Sequence, residues 1–379
     1  MKEKLVTTLK NNLKNIYGWR TKRKIIVFSI DDYGNVRVDS KKARIAMDNA
    51  GLKIFSRFDV LDTLETTDDL SMLYETLTSV KDKNEKPAVF TAFALPCNID
   101  FEAIASNKYS EFSNELLPKT FQRLENQQPE AYSGTWDLWK EGIDKGLMVP
   151  QFHGREHLNL KIFRKKLQDK SSDILTSLKH QSYTSIDDSA FPTMSFTAAF
   201  DFRTFEENDE HELIIKDGLD CFEKVFGYRA THFNSPGGGE HPIIHNYLLA
   251  NGIRSLDTEF IKNQHQGEGV YKRLVNYTGK RNSLNMIYEV RNVVFEPTEQ
   301  KGIDWVAYAM KQIETAFYWN RPAIISSHRV NFCGHLDENN RKIGIESLQL
   351  LLSKIVQQWP DVEFMASHEL SELIAKDRS

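Results

Sequence analysis

Two adjacent aspartates, Asp31 and Asp32, end a run of β-branched and aromatic residues that starts at Lys24. The run is short and is closed by Gly34, which is typical of a strand buried on both faces and followed by a sharp turn. Two ionised carboxylates leaving such a strand repel each other and lose water, so a cation, an arginine or backbone N–H groups must compensate them. An Asx turn or a helix cap explains an aspartate here equally well, so the pair alone leaves both interpretations open.

Two further predicted strands are followed by, or end in, histidine. His153 follows Leu147–Phe152, and His157 stands four residues later. At that spacing one helical turn would point both imidazoles at the same ion. His328 is the last residue of the predicted strand Pro322–His328. With one aspartate, the histidine pair would supply a two-histidine, one-carboxylate ligand set that leaves positions open for water and substrate.

A glycine-rich loop follows another predicted strand, Ala230–Phe233. Its sequence is Asn234-Ser235-Pro236-Gly237-Gly238-Gly239, and consecutive glycines let a backbone approach a ligand or adopt positive φ. A flexible turn would explain the motif if it stood alone. Polar groups therefore stand at four strand ends, and a parallel barrel brings such ends to one face.

Strands and helices alternate along the rest of the chain. Further buried strands are predicted at Ile54–Val60, Pro87–Phe93, Ile253–Asp257 and Met286–Phe295, with amphipathic helices between them. This alternation predicts an α/β fold with a parallel barrel or a doubly wound sheet. The length of 379 residues allows two domains or one enlarged barrel.

Composition excludes several classes of protein and site. The net charge of -4 argues against a nucleic-acid partner, and the 40% hydrophobic and 27% charged content is that of an ordinary globular protein. The three cysteines are far apart and form no Cys-x-x-Cys pair, which suits a reducing compartment and excludes a thiolate zinc cluster. Any metal must therefore use histidine and carboxylate ligands.

The first 24 residues are predicted to form a basic amphipathic leader helix, with Leu5, Leu9 and Leu13 on its apolar face. No apolar core of a signal peptide follows, and no stretch approaches the ~20 apolar residues of a membrane span, so we expect a cytoplasmic protein without a transmembrane segment. The helix is expected to pack across the bottom of a barrel or to rest on an anionic membrane surface.

Residues 25–379 are predicted to form a single barrel domain with an insertion around 98–135. That stretch is polar and aromatic and lacks clear strand or long helical patterning. Its aromatic side chains could stack on a sugar, although core packing explains most of them.

Taken in order, the four motifs resemble those of the polysaccharide deacetylases, the NodB-homology enzymes or family-four carbohydrate esterases. The segment Ser29–Gly34 resembles their Thr-Phe-Asp-Asp-Gly motif with one residue inserted, and His153–His157 resembles His-Ser/Thr-x-x-His. The third motif, Arg-x-Pro-Tyr-Gly, resembles Asn234–Gly238, and the last, an aliphatic strand ending in histidine, resembles Ile324–His328.

The resemblance implies a distorted (β/α) barrel of about seven parallel strands and a divalent metal, most often Zn²⁺. It implies Asp32, His153 and His157 as metal ligands, Asp31 as general base and His328 as general acid. The residue chemistry agrees with these roles, since a metal lowers the pKa of water, a carboxylate can accept the proton, and histidine has a suitable ordinary pKa for protonating a departing amine.

The glycine loop is assigned to the substrate by the same resemblance. Asn234, Pro236 and Gly237 would border the reacting carbonyl, and the backbone N–H of Gly237 would take the place of the family's oxyanion-hole amide. One such donor is worth roughly 3–4 kcal/mol in a comparable site.

The sequence departs from the family at two points. The family arginine that orients the base is replaced by Asn234, so Arg155 and Arg329 are candidates to supply the missing cation. The fourth, tryptophan-bearing motif is not recognisable, and Asp257 at a strand end is the candidate carboxylate that tunes His328.

Several other polar residues are given structural roles. Glu240 and His241 beside the glycines could line a groove, but a packing role is favoured for both. His180, His211 and His265 lie in polar sequence and are expected to be solvated.

Three hypotheses for the function follow. The first is a metal-dependent hydrolase that removes an N-acetyl group from an acetylated sugar, and without an export signal the expected substrate is a nucleotide-linked or lipid-linked glycan precursor. The second is hydrolysis of a non-sugar C–N bond. The third is a sugar-binding protein on a barrel that lost catalysis with the motif-three arginine.

Overall fold

The sheet is built around strand β1, Lys24–Tyr33, which is buried over nearly its whole length. The computed structural model describes residues 2–53 and 56–377, with side chains described from residue 9 onward. The other strands are β2 Phe90–Ala94, β3 Cys97–Ile99, β4 Asn114–Leu116, β5 Met148–Phe152, β6 His232–Phe233, β7 Ser255–Thr258, β8 Ile261–His265, β9 Tyr271–Val275, β10 Ile287–Val290, β11 Val293–Val294, β12 Ala323–His328 and β13 Val362–Met365.

Helices lie between most of these strands. They are α1 Lys2–Ile16, α2 Lys41–Asn49, α3 Arg57–Leu61, α4 Thr67–Thr78, α5 Phe101–Ser106, α6 Leu117–Gln127, α7 Pro129–Tyr132, α8 Thr135–Asp144, α9 Leu160–Gln168, α10 Ser172–Lys179, α11 Asn208–Phe226, α12 His245–Ala250, α13 Trp305–Tyr318, α14 Glu338–Gln358 and α15 Ser367–Asp377. Short 3-10 helices cover Phe205–Glu207, Pro236–Gly238, Pro242–Ile244 and Arg329–Phe332.

The main sheet is parallel throughout and closes on itself. Its strand order is β10-β7-β6-β5-β2-β1-β12-β11, and β13 pairs with the first residues of β1. Strands β10 and β11 stand at opposite ends of this order, yet only Arg291 and Asn292 separate them in the chain. The two ends therefore meet, and β10 and β11 share one of seven positions around the ring. This arrangement confirms the predicted distorted (β/α) barrel.

The two faces of β1 meet different surroundings, because successive side chains of a strand point to opposite faces. Phe28 belongs to the large hydrophobic core that includes side chains of the surrounding helices. Ile25 and Val27 pack with Leu370 of α15 in a smaller cluster at the bottom of the barrel. By this alternation Asp31 lies on the same face as Val27, inside the barrel and at its open end.

Helix α1 does not cover the bottom of the barrel, as one interpretation of the sequence expected, because α15 fills that place. It lies instead against the break between β10 and β11. The side-chain amide of Asn292 donates to Oδ1 of Asn15 at 2.8 Å, and Arg321 donates to the carbonyl oxygens of Asn15 at 2.8 Å and Ile16 at 2.6 Å. These carbonyls lie in the last turn of the helix, where no intrahelical donor is available.

Two predicted segments differ from the structure. Of the expected strand Ile54–Val60, residues 54 and 55 lie outside the described residues, Ser56 is the N-cap of α3, and the rest belongs to α3. The segment 98–135 contains the antiparallel pair β3 and β4 and the helices α5, α6 and α7, so its helical content is greater than its sequence suggested. The division into a leader at 1–24 and one domain at 25–379 stays a prediction. No helix within 2–53 and 56–377 combines the length and the apolarity needed to cross a membrane.

Candidate active site

A bulge in β1 brings both aspartates into the open end of the barrel. The pairing of β1 with β2 shifts register between Ile30 and Tyr33, and Asp32 has a φ of 75°. A regular strand would point Asp31 and Asp32 to opposite faces, whereas the extra residue of a bulge re-aims one side chain. A positive φ at a non-glycine residue costs energy and is concentrated at functional sites, so the bulge is a feature of the site.

Asp32 meets the two predicted histidines. Its Oδ1 lies 3.4 Å from Nε2 of His153 and 3.0 Å from Nε2 of His157, and one ligand atom from each of the three residues lies within 4.8 Å of the others. The histidine segment is not helical. It follows β5 as a bend in which Gly154 has a φ of 99°. The structure therefore brings together the three residues predicted as ligands, by a turn different from the expected one.

The donor atoms of this cluster fit a divalent metal. The Nδ1 of His153 donates to the backbone carbonyl of Asn234 at 2.9 Å, which leaves the lone pair of Nε2 directed at Asp32. Nε2 of His153 and Nδ1 of His157 are buried, and neither has a hydrogen-bond partner among the described residues. Burial raises the pKa of the Asp32 carboxyl, but contacts with the two histidines outweigh it and lower the pKa well below its usual value.

A second group of potential ligands lies deeper in the barrel and does not fit a metal. It consists of His232, Asp257 and Glu289, all buried. Both ring nitrogens of His232 are engaged, Nε2 with Oδ1 of Asp257 at 3.0 Å and Nδ1 with the hydroxyl of Ser255 at 2.8 Å. With no imidazole nitrogen free, this group is a hydrogen-bonded network beneath the site.

Asp31 is held by Arg291, an arginine to which the sequence analysis gave no role. Arg291 donates from Nη1 to Oδ2 of Asp31 at 2.6 Å and from Nη2 to Oδ1 at 2.7 Å. Its Nε donates to Oδ2 of Asp257 at 2.6 Å. Asn234 adds a hydrogen bond from Nδ2 to Oδ1 of Asp31 at 2.6 Å. A bidentate guanidinium is a strong and geometrically specific partner of a carboxylate, and it fixes the orientation of Asp31.

The missing cation is therefore not Arg155 or Arg329, the two candidates from the sequence. Arg155 pairs with Glu156 and Asp217, and Arg329 pairs with two buried acids, Asp62 and Glu65. Position 291 follows β10 directly, so the signal available in the sequence was an arginine at a strand end.

His328 lies near the same Oδ2 of Asp31 and has a carboxylate partner of its own. Its Nδ1 donates to Oε1 of Glu296 at 2.7 Å, and its Nε2 lies 3.8 Å from Oδ2 of Asp31. Glu296 also pairs with Arg57. The prediction that Asp257 tunes His328 is corrected accordingly, since Asp257 bonds to His232 and to the arginine. Burial lowers the pKa of His328, but Glu296 and then Asp31 outweigh it and raise the pKa to about 9.

The glycine loop borders the same cleft. Gly237 has a φ of 67°, and a Cβ there would lie 2.8 Å from the Cβ of Ala198, so both the backbone angle and the space require glycine. Asn234, Ser235, Gly237 and Gly238 line the cleft, while Pro236 is buried and its ring lies beside Gly154. Of the three loop residues predicted to meet the substrate, two line the cleft and the third packs beneath it.

The cleft has a volume of about 800 Å³ and contains all five predicted metal and acid-base residues. Its outer part is lined by residues that the sequence analysis did not assign to the site, among them Lys10 and Lys14 of α1, and Lys262 of β8. Glu240, for which a packing role was favoured, is buried at the cleft and forms an ion pair with Lys262.

Two histidines expected to be solvated are buried, His211 against Phe200 and His265 against Phe202. The polar residues beside each histidine in the sequence gave no sign of this burial, because the phenylalanine that covers each ring comes from another segment of the chain.

No protein-family model matches the chain, and neither does any curated protein. Its fold is similar to those of several solved structures at low identity. A protein assigned as a polysaccharide deacetylase from Mycobacterium smegmatis is 12% identical, with 96% of this chain and 94% of that one covered and a TM-score of 0.43. Puue allantoinase is 9% identical, with 93% of this chain and 91% of that one covered and a TM-score of 0.46. The 4-alpha-glucanotransferase from Thermococcus litoralis is 10% identical with a TM-score of 0.45, and 92% of this chain spans only 40% of that enzyme.

Proposed function

We propose that this protein is a metal-dependent hydrolase that removes an N-acetyl or similar acyl group from a sugar or glycan precursor. The observation that carries the proposal is the grouping within one cleft of a fitting metal-ligand set, a carboxylate held by an arginine and a histidine held by a carboxylate. Clefts of several hundred Å³ are the usual size for small-molecule sites. Together these three parts can polarise an acyl carbonyl, accept a proton from water and protonate the leaving amine.

Asp32, His153 and His157 would hold the metal, with Zn²⁺ the best match to nitrogen and carboxylate ligands. When bound, the metal supplies Lewis-acid chemistry, which polarises an acyl carbonyl and lowers the pKa of water. Two residues of the chain then move the protons. Asp31 accepts a proton from the attacking water, and the guanidinium beside it holds the carboxylate in a fixed orientation. His328 donates a proton from Nε2 to the departing amine, which is a poor leaving group until it is protonated.

The remaining polar groups position the substrate. The N–H of Gly237 would donate to the carbonyl oxygen as negative charge develops on it, and the loop geometry fixes this donor before the substrate arrives. The side-chain amide of Asn234 donates to the base Asp31, and its backbone carbonyl orients the metal ligand His153. One residue of the loop therefore positions both the base and a metal ligand.

Acetate release tests the proposal directly. Purified protein loaded with Zn²⁺ should release acetate from N-acetylated sugars and their conjugates, and dialysis against a chelator should abolish the release, because no carbonyl is then polarised. Re-addition of Zn²⁺ should restore it. Release that is unaffected by the chelator would contradict the metal-dependent mechanism, and retention of metal without release from any acylated sugar would favour a binding protein.

The pH dependence of acyl release should depend on Glu296. His328 acts as an acid only while protonated, so kcat/KM should fall as the pH rises through the pKa of His328, which stands raised to about 9. In Glu296→Gln the carboxylate that raises this pKa is lost. The basic limb of the kcat/KM profile should therefore move to lower pH, by about one to three units for the loss of an adjacent opposite charge.

A matched control is Glu299→Gln, which changes a half-exposed carboxylate three residues away that pairs with Lys301. Its basic limb should coincide with that of the wild type. A profile of Glu296→Gln that falls at the same pH as the wild type would show that His328 is not the acid.

A further inference from the structure

Helix α1 forms one wall of the cleft mouth. Lys10, Leu13 and Lys14 of this helix line the same cavity as Asp32 and His328. Lys10 is exposed, Lys14 is half-buried, and Leu13 keeps 43% of its surface exposed. A helix that served only to fill the break in the barrel would need its inner face, which carries Asn15, but would have no need of lysines directed into the cleft.

The two lysines carry charge without a partner. They are four residues apart on one helix, where like charges repel, and no ion pair or hydrogen bond joins either ammonium to any described side chain. Burial and the charge of Lys10 lower the pKa of Lys14, and no carboxylate acts in the other direction. By contrast Arg23 and Lys24, just after the helix, pair with Glu363 and Asp361.

Most carboxylates of the cleft are already neutralised by other cations. Asp31 and Asp257 are paired with Arg291, and Glu240 with Lys262. Glu259 also lines the cleft but is exposed. Partial desolvation raises the pKa of its carboxyl, and no nearby charge contributes to the shift. The wall formed by α1 is thus a site of uncompensated positive charge facing the reacting groups.

We propose that Lys10 and Lys14 bind a phosphate or diphosphate group of the substrate while its acyl group lies at the Asp32–His153–His157 cluster. This inference rests on the proposed function and deepens it by naming the substrate class, a phosphate-bearing acylated sugar. Two ammonium groups match the charge of a phosphate dianion, and lysine binds phosphate as a point charge from several directions. The cleft volume accommodates a sugar with such a group attached.

The test compares a phosphorylated and a neutral substrate. With N-acetylglucosamine 1-phosphate and N-acetylglucosamine, the Zn²⁺-loaded wild type should show a kcat/KM at least tenfold higher for the phosphorylated sugar. In the double variant Lys10→Gln, Lys14→Gln that ratio should fall about tenfold, mainly through a higher KM, since hydrogen bonds to charged groups contribute on this scale. The single variant Lys14→Arg keeps the charge and should retain most of the preference.

The control is Lys354→Gln, which removes an exposed lysine of α14 far from the cleft and should leave the ratio unchanged. Equal use of both sugars by the wild type, or an unchanged ratio in the double variant, would overturn the inference while leaving the proposed hydrolase intact. Thermal unfolding of each variant shows whether α1 still packs against the break in the barrel.

A binding measurement separates this inference from the proposed function. Titration of Zn²⁺-loaded protein with inorganic pyrophosphate should show an affinity about tenfold lower for the double variant than for the wild type, whether or not any acyl group is released. Equal affinities would refute the lysine subsite. A nucleoside-diphosphate-linked and a lipid-diphosphate-linked N-acetyl sugar, compared as substrates, then distinguish the soluble from the membrane-borne source of the diphosphate.

Discussion

Replacing His153 by alanine should reduce the metal content of the purified protein from about one divalent ion per chain to background. His153 supplies a buried nitrogen, Nε2, that has no hydrogen-bond partner among the described residues, and the backbone carbonyl of Asn234 holds its ring in place. Without it the cluster keeps only Asp32 and His157, too few ligands to retain Zn²⁺ through dialysis. Acyl release should fall to the uncatalysed rate, and elemental analysis of the dialysed protein measures the loss.

Two control variants make this result specific. His180→Ala alters a half-buried histidine at the end of α10 and should keep the metal. His232→Ala disrupts the deeper network of Asp257 and Glu289 and should also keep it, because both nitrogens of His232 are engaged in hydrogen bonds. If the His153 variant kept the metal and the His232 variant lost it, the metal would be held by the deeper group of His232, Asp257 and Glu289, and the proposed ligand set would be refuted.

Replacing Asp31 by asparagine should lower kcat about 10²–10⁴-fold, the usual contribution of a general base, with the metal content unchanged. The asparagine is nearly the same size, but it cannot take a proton from water. It also leaves Arg291 without its bidentate partner. Measurement of acetate release and metal content on the same preparation separates loss of the base from loss of the metal.

The companion variant for this prediction is Arg291→Lys. It keeps a positive charge near Asp31 but loses the planar pair of N–H donors, so kcat should fall less than in the Asp31 variant. If the Asp31→Asn protein releases acetate at the wild-type rate, Asp31 is not the general base, and the hypothesis of a sugar-binding protein is favoured.

The residues with direct chemical roles were predictable because each lies at the end of a strand or in the segment just after it, and a parallel barrel gathers strand ends on one face. Asp31, Asp32, His153, His157 and His328 all line one cleft, although their roles remain proposals. Their partners were harder to predict. Glu296 and Arg291 were visible as polar residues near the end of one strand, but only the pairing of β10 with β7 and of β11 with β12 decides which carboxylate or histidine each one reaches.

Local backbone geometry was a second source of error. The inserted residue between Asp31 and Gly34 was seen in the sequence, but its effect, a bulge that turns both aspartates inward, depends on the shifted pairing with β2. The position of α1 was also not predictable from its periodicity. Its periodicity predicts that the leucine face is covered, but Leu9 and Leu13 are 59% and 43% exposed, and the buried residues that face the break are Asn11 and Asn15.

The two-residue break between β10 and β11 has a consequence for how chains with this arrangement are recognised. It places a guanidinium on the carboxylate that an arginine at position 234 would otherwise serve. A pattern search that demands arginine at position 234 would therefore reject this chain, although a guanidinium from another strand end reaches the same carboxylate. Whether the carboxylate has its cation is better judged from contacts in the three-dimensional structure than from the residue type at one position of a sequence motif.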